Sequence, residues 1–335
     1  MRKTVAFAKD RANVFFHIQT QCNLNCRHCY INPEQHGTRI LTLDRINRWL
    51  KILLQRSSQA NLIFLGGEPT LHPDLAEAVK AAGKMGYASI TIDTNGYLYN
   101  DILNRVTPSE VDFFSFSLDG PTARVNDALR GAGCFDRCTA GLQQAKAMGF
   151  GISLIYTVSS RNLGHLENML PLLKKWGVDH FFIQVIGLRG KSAAREEKTS
   201  DLQVSRDDWL GIVPAVAEAA ADSGITVTYP KVYLTSEEPF ECAGRVADNY
   251  FVFPNGRVYR CPLCEDFPLH GMAFVEDRLT VCGPVNEGDL FELKIDEGCV
   301  MNKLIQPGNI DYDEAGLPRY QIACCLLKEQ ISPEE

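Results

Sequence analysis

The chain has 335 residues, of which 45% are hydrophobic and 22% charged, with a net charge of −7 at pH 7 and a pI near 5.6. That length can bury a large core, and an acidic balance with no basic run argues against a nucleic-acid partner. No apolar run reaches membrane-spanning length, and Lys9-Asp10-Arg11 interrupts any signal-peptide core, so neither a membrane span nor secretion is expected and the cytoplasm is the expected location.

Asn13-Val14-Phe15-Phe16-His17-Ile18, β-branched and aromatic, predicts a first strand. Next comes Cys22-Asn23-Leu24-Asn25-Cys26-Arg27-His28-Cys29-Tyr30, a CxxxCxxC pattern. Three thiolates this close suit three irons of a [4Fe–4S] cluster and leave the fourth iron without a protein ligand. A zinc loop completed by His28 is the alternative from spacing alone. Thr42 predicts a helix N-cap, and Ile46, Trp49, Leu50, Leu53 and Leu54 then recur on one face.

Leu62–Leu65 predicts a buried strand ending at Gly66-Gly67-Glu68-Pro69, with a helix from about Pro73 to Met85. Further strands are predicted at Ser89–Ile92, Val111–Ser117, Ile152–Val158 and His180–Ile186. Helices are predicted near Cys138–Met148, Leu163–Trp176 and Arg206–Ala221, the last with a possible kink at Pro214. Six strand–helix units in alternation indicate a parallel sheet with right-handed crossovers. Thr94-Asn95-Gly96 and Ser117-Leu118-Asp119-Gly120 end two of these strands, where α/β barrels carry their chemistry. As isolated motifs the Gly66-Gly67 and Asn95-Gly96 stretches read equally as turns. Arg130 suits a carboxylate because its fork can bind both oxygens. Cys134 and Cys138 read as small buried hydrophobes, and Asn162 and Gln184 as either ligand contacts or local hydrogen-bonding groups.

After Tyr229 turn residues become frequent and long amphipathic helices stop. Seven of the twelve cysteines lie here, from Cys242 to Cys325, which favours metal or redox chemistry over a disulfide framework. Tyr250–Cys261 predicts a hairpin turning at Pro254-Asn255-Gly256.

These motifs, in this order, resemble those of the radical S-adenosylmethionine enzymes. The resemblance implies a partial (β/α)6 barrel of the TIM type over residues 10–224. It also implies a [4Fe–4S] cluster on Cys22, Cys26 and Cys29, whose open iron chelates the methionine end of S-adenosylmethionine. By the same resemblance, Gly66, Gly67 and Glu68 serve the cofactor's amino group, Ser117 and Asp119 contact the cofactor, and Arg130 reaches its carboxylate. His28 departs from the aromatic residue usual before the third cysteine. Cys242 before the hairpin, with Gly256 and Cys261 closing it, resembles the opening of SPASM and Twitch extensions. That implies a small cysteine-rich domain over residues 225–335 with an auxiliary [4Fe–4S] cluster, for which Cys242, Cys261 and Cys264 are the candidate ligands. The later cysteines do not follow the full SPASM spacing, and a zinc site on Cys261 and Cys264 is the alternative.

The implied reaction is reductive cleavage of S-adenosylmethionine to a 5′-deoxyadenosyl radical that abstracts hydrogen from a peptide or small-molecule substrate, in maturation or biosynthesis. A flavodoxin or ferredoxin is the implied electron donor. Only about a dozen residues precede the first strand, which leaves little room there for a peptide-binding domain. The rival reading is a non-catalytic iron–sulfur electron carrier or metal sensor, which explains the cysteines but not the motifs at the strand ends.

Overall fold

The structure, a computed structural model, describes residues 2–5, 11–57, 59–193, 202–235 and 237–333. Its strands are β1 (Arg2–Val5), β2 (Arg11–His17), β3 (Gln59–Leu65), β4 (Ser89–Thr94), β5 (Phe113–Ser117), β6 (Gly151–Val158), β7 (His180–Val185) and β8 (Thr226–Pro230). The chain continues with β9 (Tyr233–Leu234), β10 (Asn249–Val252), β11 (Arg257–Tyr259), β12 (Met272–Val275), β13 (Arg278–Val281), β14 (Gln321–Ile322) and β15 (Lys328–Ile331). Among the described residues one open sheet has the order β1-β15-β8-β7-β6-β5-β4-β3-β2-β10-β11-β12-β13. From β2 to β8 neighbours are parallel and follow chain order. This is the expected α/β partial barrel, an open parallel sheet with helical crossovers.

Alternation along each strand divides the residues between two environments. Val14, Phe16, Leu62, Phe64, Ile92, Phe114, Phe116, Ile152 and Leu154 are fully or almost fully buried, in one core with Ile46, Trp49, Leu50 and Leu53 of helix Leu43–Leu54. The intervening residues, among them Phe15, His17, Asp93, Ser117, Thr157, Phe182 and Gln184, line a single cavity. Side chains from β2 through β8 can meet around one cavity only because the sheet is curved.

Thr42 caps its helix as predicted, its hydroxyl accepting from the Arg45 N–H at 3.4 Å. The helix expected over 163–176 is shorter. Pro171 lacks an N–H and is tolerated only in a first turn, so the α-helix begins at Leu170 and two 3₁₀ turns precede it. Pro214 by contrast lies inside helix Arg206–Asp222. The sequence reading also lacked helix Ala123–Arg130, capped by Thr122 and ending on Arg130.

Beyond residue 225 the chain extends this sheet at both flanks. β8 joins β7 in parallel, β15 pairs antiparallel with β8, and β10 lies parallel to β2. The predicted hairpin is present as β10–β11, with Gly256 at φ +95°, a conformation side chains disfavour. Phe15 of β2 stacks on Phe251 of β10 at 4.4 Å, joining the two parts of the chain across the sheet.

Candidate active site

The loop after β2 carries Cys22, Cys26 and Cys29, and all three line a cavity of about 330 Å³ at the C-terminal edge of the parallel strands. Backbone bonds hold the loop from two sides. Arg27 N–H donates to Leu129 O at 2.9 Å, and Lys191 N–H donates to Cys29 O at 2.8 Å. Burial pushes the Cys22 thiol up to about 11, so the free thiol is protonated at neutral pH and metal binding has to displace the proton.

Gly66 and Gly67 leave β3 against this loop. A Cβ on Gly67 would lie 2.3 Å from Gln21 O, so only glycine fits there. Gly67 and Glu68 N–H donate to Gln19 O and Gln21 O, each at 2.9 Å. The Glu68 side chain is fully buried. Its carboxylate accepts from Thr70 N–H (3.1 Å), Thr70 Oγ1 (2.7 Å), Thr94 Oγ1 (2.8 Å) and Asn95 N–H (2.7 Å). Burial pushes this carboxyl up, and those donors oppose the rise. Glu68 therefore holds the Thr94-Asn95-Gly96 turn in place. Asn95 in turn donates to Asn23 Oδ1 at 2.9 Å and to Cys22 Sγ at 3.6 Å, which ties β4 to the cysteine loop.

Asp119 follows β5 and is fully buried. It forms ion-pair contacts to Arg130 Nε at 2.6 Å and His28 Nε2 at 3.1 Å, and accepts from Thr157 N–H at 2.7 Å. Burial alone would raise its carboxyl, but the Arg130 guanidinium and His28 hold it down at about 2. Asp119 thus orients Arg130 by one nitrogen. Neither terminal nitrogen of Arg130 has a hydrogen-bond partner among the described residues, and Arg130 lines the cavity beside Ser117. Asn162 is buried and bonds to Ser159, Asp119 and Thr157, a local structural role, whereas Gln184 lines the cavity. Cys134 and Cys138 are buried, as read from sequence.

The C-terminal cysteines form a second cluster. Cys242, Cys261, Cys299 and Cys324 line one small cavity of about 20 Å³. Cys264 is buried close to Cys261, and Cys325 lines the large cavity instead. The Cys324 thiol is lowered by a hydrogen bond from Cys325 and by backbone N–H groups of Leu326, Ala243 and Leu327, which favours a thiolate. Sequence spacing pointed to Cys242 and Cys261 here but missed Cys299 and Cys324, which come from distant segments with no spacing signal. Among the described residues no three His, Cys, Asp or Glu side chains sit close enough to hold a single metal ion. A [4Fe–4S] cube distributes its ligands around a wider centre than one ion does.

Fold and site together define an open α/β-barrel domain with a three-cysteine loop, a double-glycine turn and a buried arginine gathered at the strand ends. Residues 16–173, just under half of the chain, match the model of the radical SAM superfamily, a family that uses a [4Fe–4S] cluster and S-adenosylmethionine. It is 29% identical over 199 residues to the mycofactocin maturase MftC of Mycobacterium tuberculosis, covering 56% of this chain and 49% of that protein. It is 30% identical over 223 residues to the pre-heme d1 synthase of Dinoroseobacter shibae, covering 66% and 54%. The chain thus spans about half the length of these curated relatives. The fold is similar to that of Streptococcus suis SuiB bound to precursor peptide SuiA, with TM-score 0.64, 14% identity, and 90% and 72% of the two chains covered. No helix among the described residues is long and apolar enough to cross a membrane.

Proposed function

We propose that this chain is a radical SAM enzyme that cleaves S-adenosylmethionine reductively and uses the resulting 5′-deoxyadenosyl radical to abstract hydrogen from a peptide or small molecule. The observation that carries the reading is that Cys22, Cys26 and Cys29 share one cavity with Gly66, Gly67, Ser117 and Arg130. The donor set fits the group: three soft thiols and no competing hard ligand from the loop itself. Beside them the Nδ1 of His28 is buried with no protein partner, a polar atom available to a bound molecule.

Each residue then has a physical task. The three thiolates hold iron, and the two glycines let the backbone approach the cofactor's methionine end. Arg130, fixed through Nε by Asp119, offers its terminal nitrogens to the methionine carboxylate. Glu68 acts through Asn95 and Thr94, keeping the turn beside Cys22 rigid. A cluster held by these three thiolates would supply an electron to the sulfonium, with a flavodoxin or ferredoxin as the cytoplasmic donor. We assign Cys242, Cys261, Cys299 and Cys324 as ligands of an auxiliary [4Fe–4S] cluster, with residues 10–224 as the radical SAM barrel and 225–335 as the auxiliary region. The maturase MftC and the peptide-bound SuiB support a peptide substrate, and the pre-heme d1 synthase supports a small-molecule one.

The test is direct. Anaerobically reconstituted, reduced protein should convert S-adenosylmethionine to 5′-deoxyadenosine, detected by chromatography. The Cys22→Ala/Cys26→Ala/Cys29→Ala variant should form none while keeping its far-UV circular dichroism. Turnover by the triple variant would refute the assignment.

A further inference from the structure

The lumen of the barrel, below the strand ends, is polar where barrel interiors are normally filled by branched apolar side chains. The sheet register aligns Asp93 of β4 with Ser115 of β5, and Ser115 with Ser153 of β6. Ser115 Oγ lies 3.5 Å from Ser153 Oγ, and its hydroxyl also reaches Asp93. The Lys328 side chain enters from the far flank of the sheet. β15 pairs Lys328 with Pro230, and its ammonium sits 5.2 Å from the centre of the Phe182 ring.

Both Asp93 and Lys328 line the large cavity, and each feels the other's charge. Among the described residues no carboxylate comes within ion-pair distance of Lys328, and the Phe182 ring lies beside its ammonium. The other charged side chains around the cavity are matched: Arg130 by Asp119, Arg189 by Glu265 at 2.8 Å, and Glu68 by its four donors. A half-buried ammonium lining a cavity without an anion carries a desolvation cost, and a ligand anion would offset it. A phosphate dianion is usually met by arginine forks or a helix N-terminus, neither of which accompanies Lys328. One ammonium beside aromatic walls formed by Phe15, Phe182, Tyr229 and Phe251 suits a carboxylate on an apolar stem.

We propose that the lumen is a substrate subsite for a carboxylate, with Lys328 as its anchor and Asp93 across the lumen receiving a hydrogen-bond donor of the same molecule. This rests on the reading of the chain as a radical SAM enzyme and names the chemistry of its substrate. A competing role for Lys328 is as counter-charge to the nearby Cys324 and Cys325.

The test uses reconstituted holoenzyme with S-adenosylmethionine and four probes: phenylacetate, N-acetyl-phenylalanine and the amide of each. Binding is read by saturation-transfer NMR and titration. Both carboxylates should bind, their amides should bind at least about tenfold more weakly, and Lys328→Met should remove that preference while Lys328→Arg retains it. Tighter binding of N-acetyl-phenylalanine than of phenylacetate would identify a peptidyl carboxylate, and the reverse a free acid. Absence of carboxylate binding to the wild type, or equal preference in Lys328→Met, overturns the proposal. So does a Lys328→Met variant that keeps the preference and changes only the iron content or the auxiliary cluster's signal in electron paramagnetic resonance, which would leave Lys328 as a counter-charge. Substrate-free formation of 5′-deoxyadenosine by the wild-type holoenzyme reports separately on the radical SAM reading. Its absence would overturn that reading whichever way the probes bind.

Discussion

The Glu68 carboxylate accepts four donors with two oxygens, so replacing either oxygen with an amide nitrogen sets a donor against a donor. Glu68→Gln should lose at least one bond to a charged acceptor, worth ~1.5–3 kcal/mol. Calorimetry should show a lower unfolding midpoint together with weaker S-adenosylmethionine binding, because the Asn95 turn loosens beside Cys22. An unchanged midpoint and affinity would remove Glu68 from this role. A second case concerns His17 and His36, which both stack on the Phe253 ring, at 4.1 and 3.9 Å. His36 Nδ1 accepts from Asn32 N–H at 3.0 Å and Nε2 donates to Glu265 O at 3.1 Å, so the ring is neutral. His17 likewise donates to Val252 O at 3.0 Å and accepts from Tyr30 O–H at 2.8 Å. Burial, with neighbouring positive groups, lowers both to about 3. The unfolded chain therefore takes up protons first as pH falls below its histidine value of 6.5. The stability these rings provide is complete above that value and is lost progressively towards pH 3. Each contributes a slope of up to ~1.4 kcal/mol per pH unit. Denaturant melts of His36→Phe should show an acid-side slope shallower by about that amount, and an identical slope would exclude neutral burial of His36.

Among the elements, the barrel strands were legible because alternation and flanking glycines repeat in six units. The cysteine loop was legible because Cys22, Cys26 and Cys29 lie close together in sequence. Helix Ala123–Arg130 was not, since it is short and polar overall, with Val125 and Leu129 as its large apolar residues, yet its end delivers Arg130 to Asp119. The cysteines proposed as auxiliary ligands were legible only in part. Cys242 and Cys261 flank a hairpin with its own turn signature, whereas Cys299 and Cys324 are brought in by long-range pairing. Cys299 N–H donates to Ile322 O at 2.9 Å, and Ala323 N–H donates to Val232 O at 2.6 Å. Tertiary contacts of this kind leave no local mark. The assignment separates the cysteines experimentally. Cys299→Ala and Cys324→Ala should each lose the auxiliary iron, whereas Cys264→Ala should keep it. Loss in Cys264→Ala with retention in Cys299→Ala would reverse the assignment.

For the whole molecule, the two parts of the chain meet at the cysteine loop. Arg189 pairs with Glu265 at 2.8 Å and lies 4.8 Å from the centre of the Tyr30 ring, the residue after Cys29. Asn32 donates to Asp266 at 3.3 Å, and Gly190 N–H donates to the same side chain at 2.6 Å. The change in sequence character after Tyr229 marks where crossover helices stop, but the sheet runs on through β8, β15 and β10. The C-terminal region has little core of its own: Phe253, Tyr259, Cys261, Cys264 and Cys299 pack with Ile31 of the cysteine loop. Metal ligation would supply stability that this region's turns cannot. Anaerobic reconstitution should therefore load at least about eight irons per chain, from two clusters of four. The Cys22/Cys26/Cys29 triple alanine variant should retain about four, because the second site uses none of those thiols. Cys242→Ala with Cys261→Ala should lose the auxiliary iron and lower the unfolding midpoint, and it should also slow reconstitution of the first cluster through the Arg189–Tyr30 contact. Iron analysis that found none in the triple variant, or zinc in its place, would refute the auxiliary cluster while leaving the first one standing.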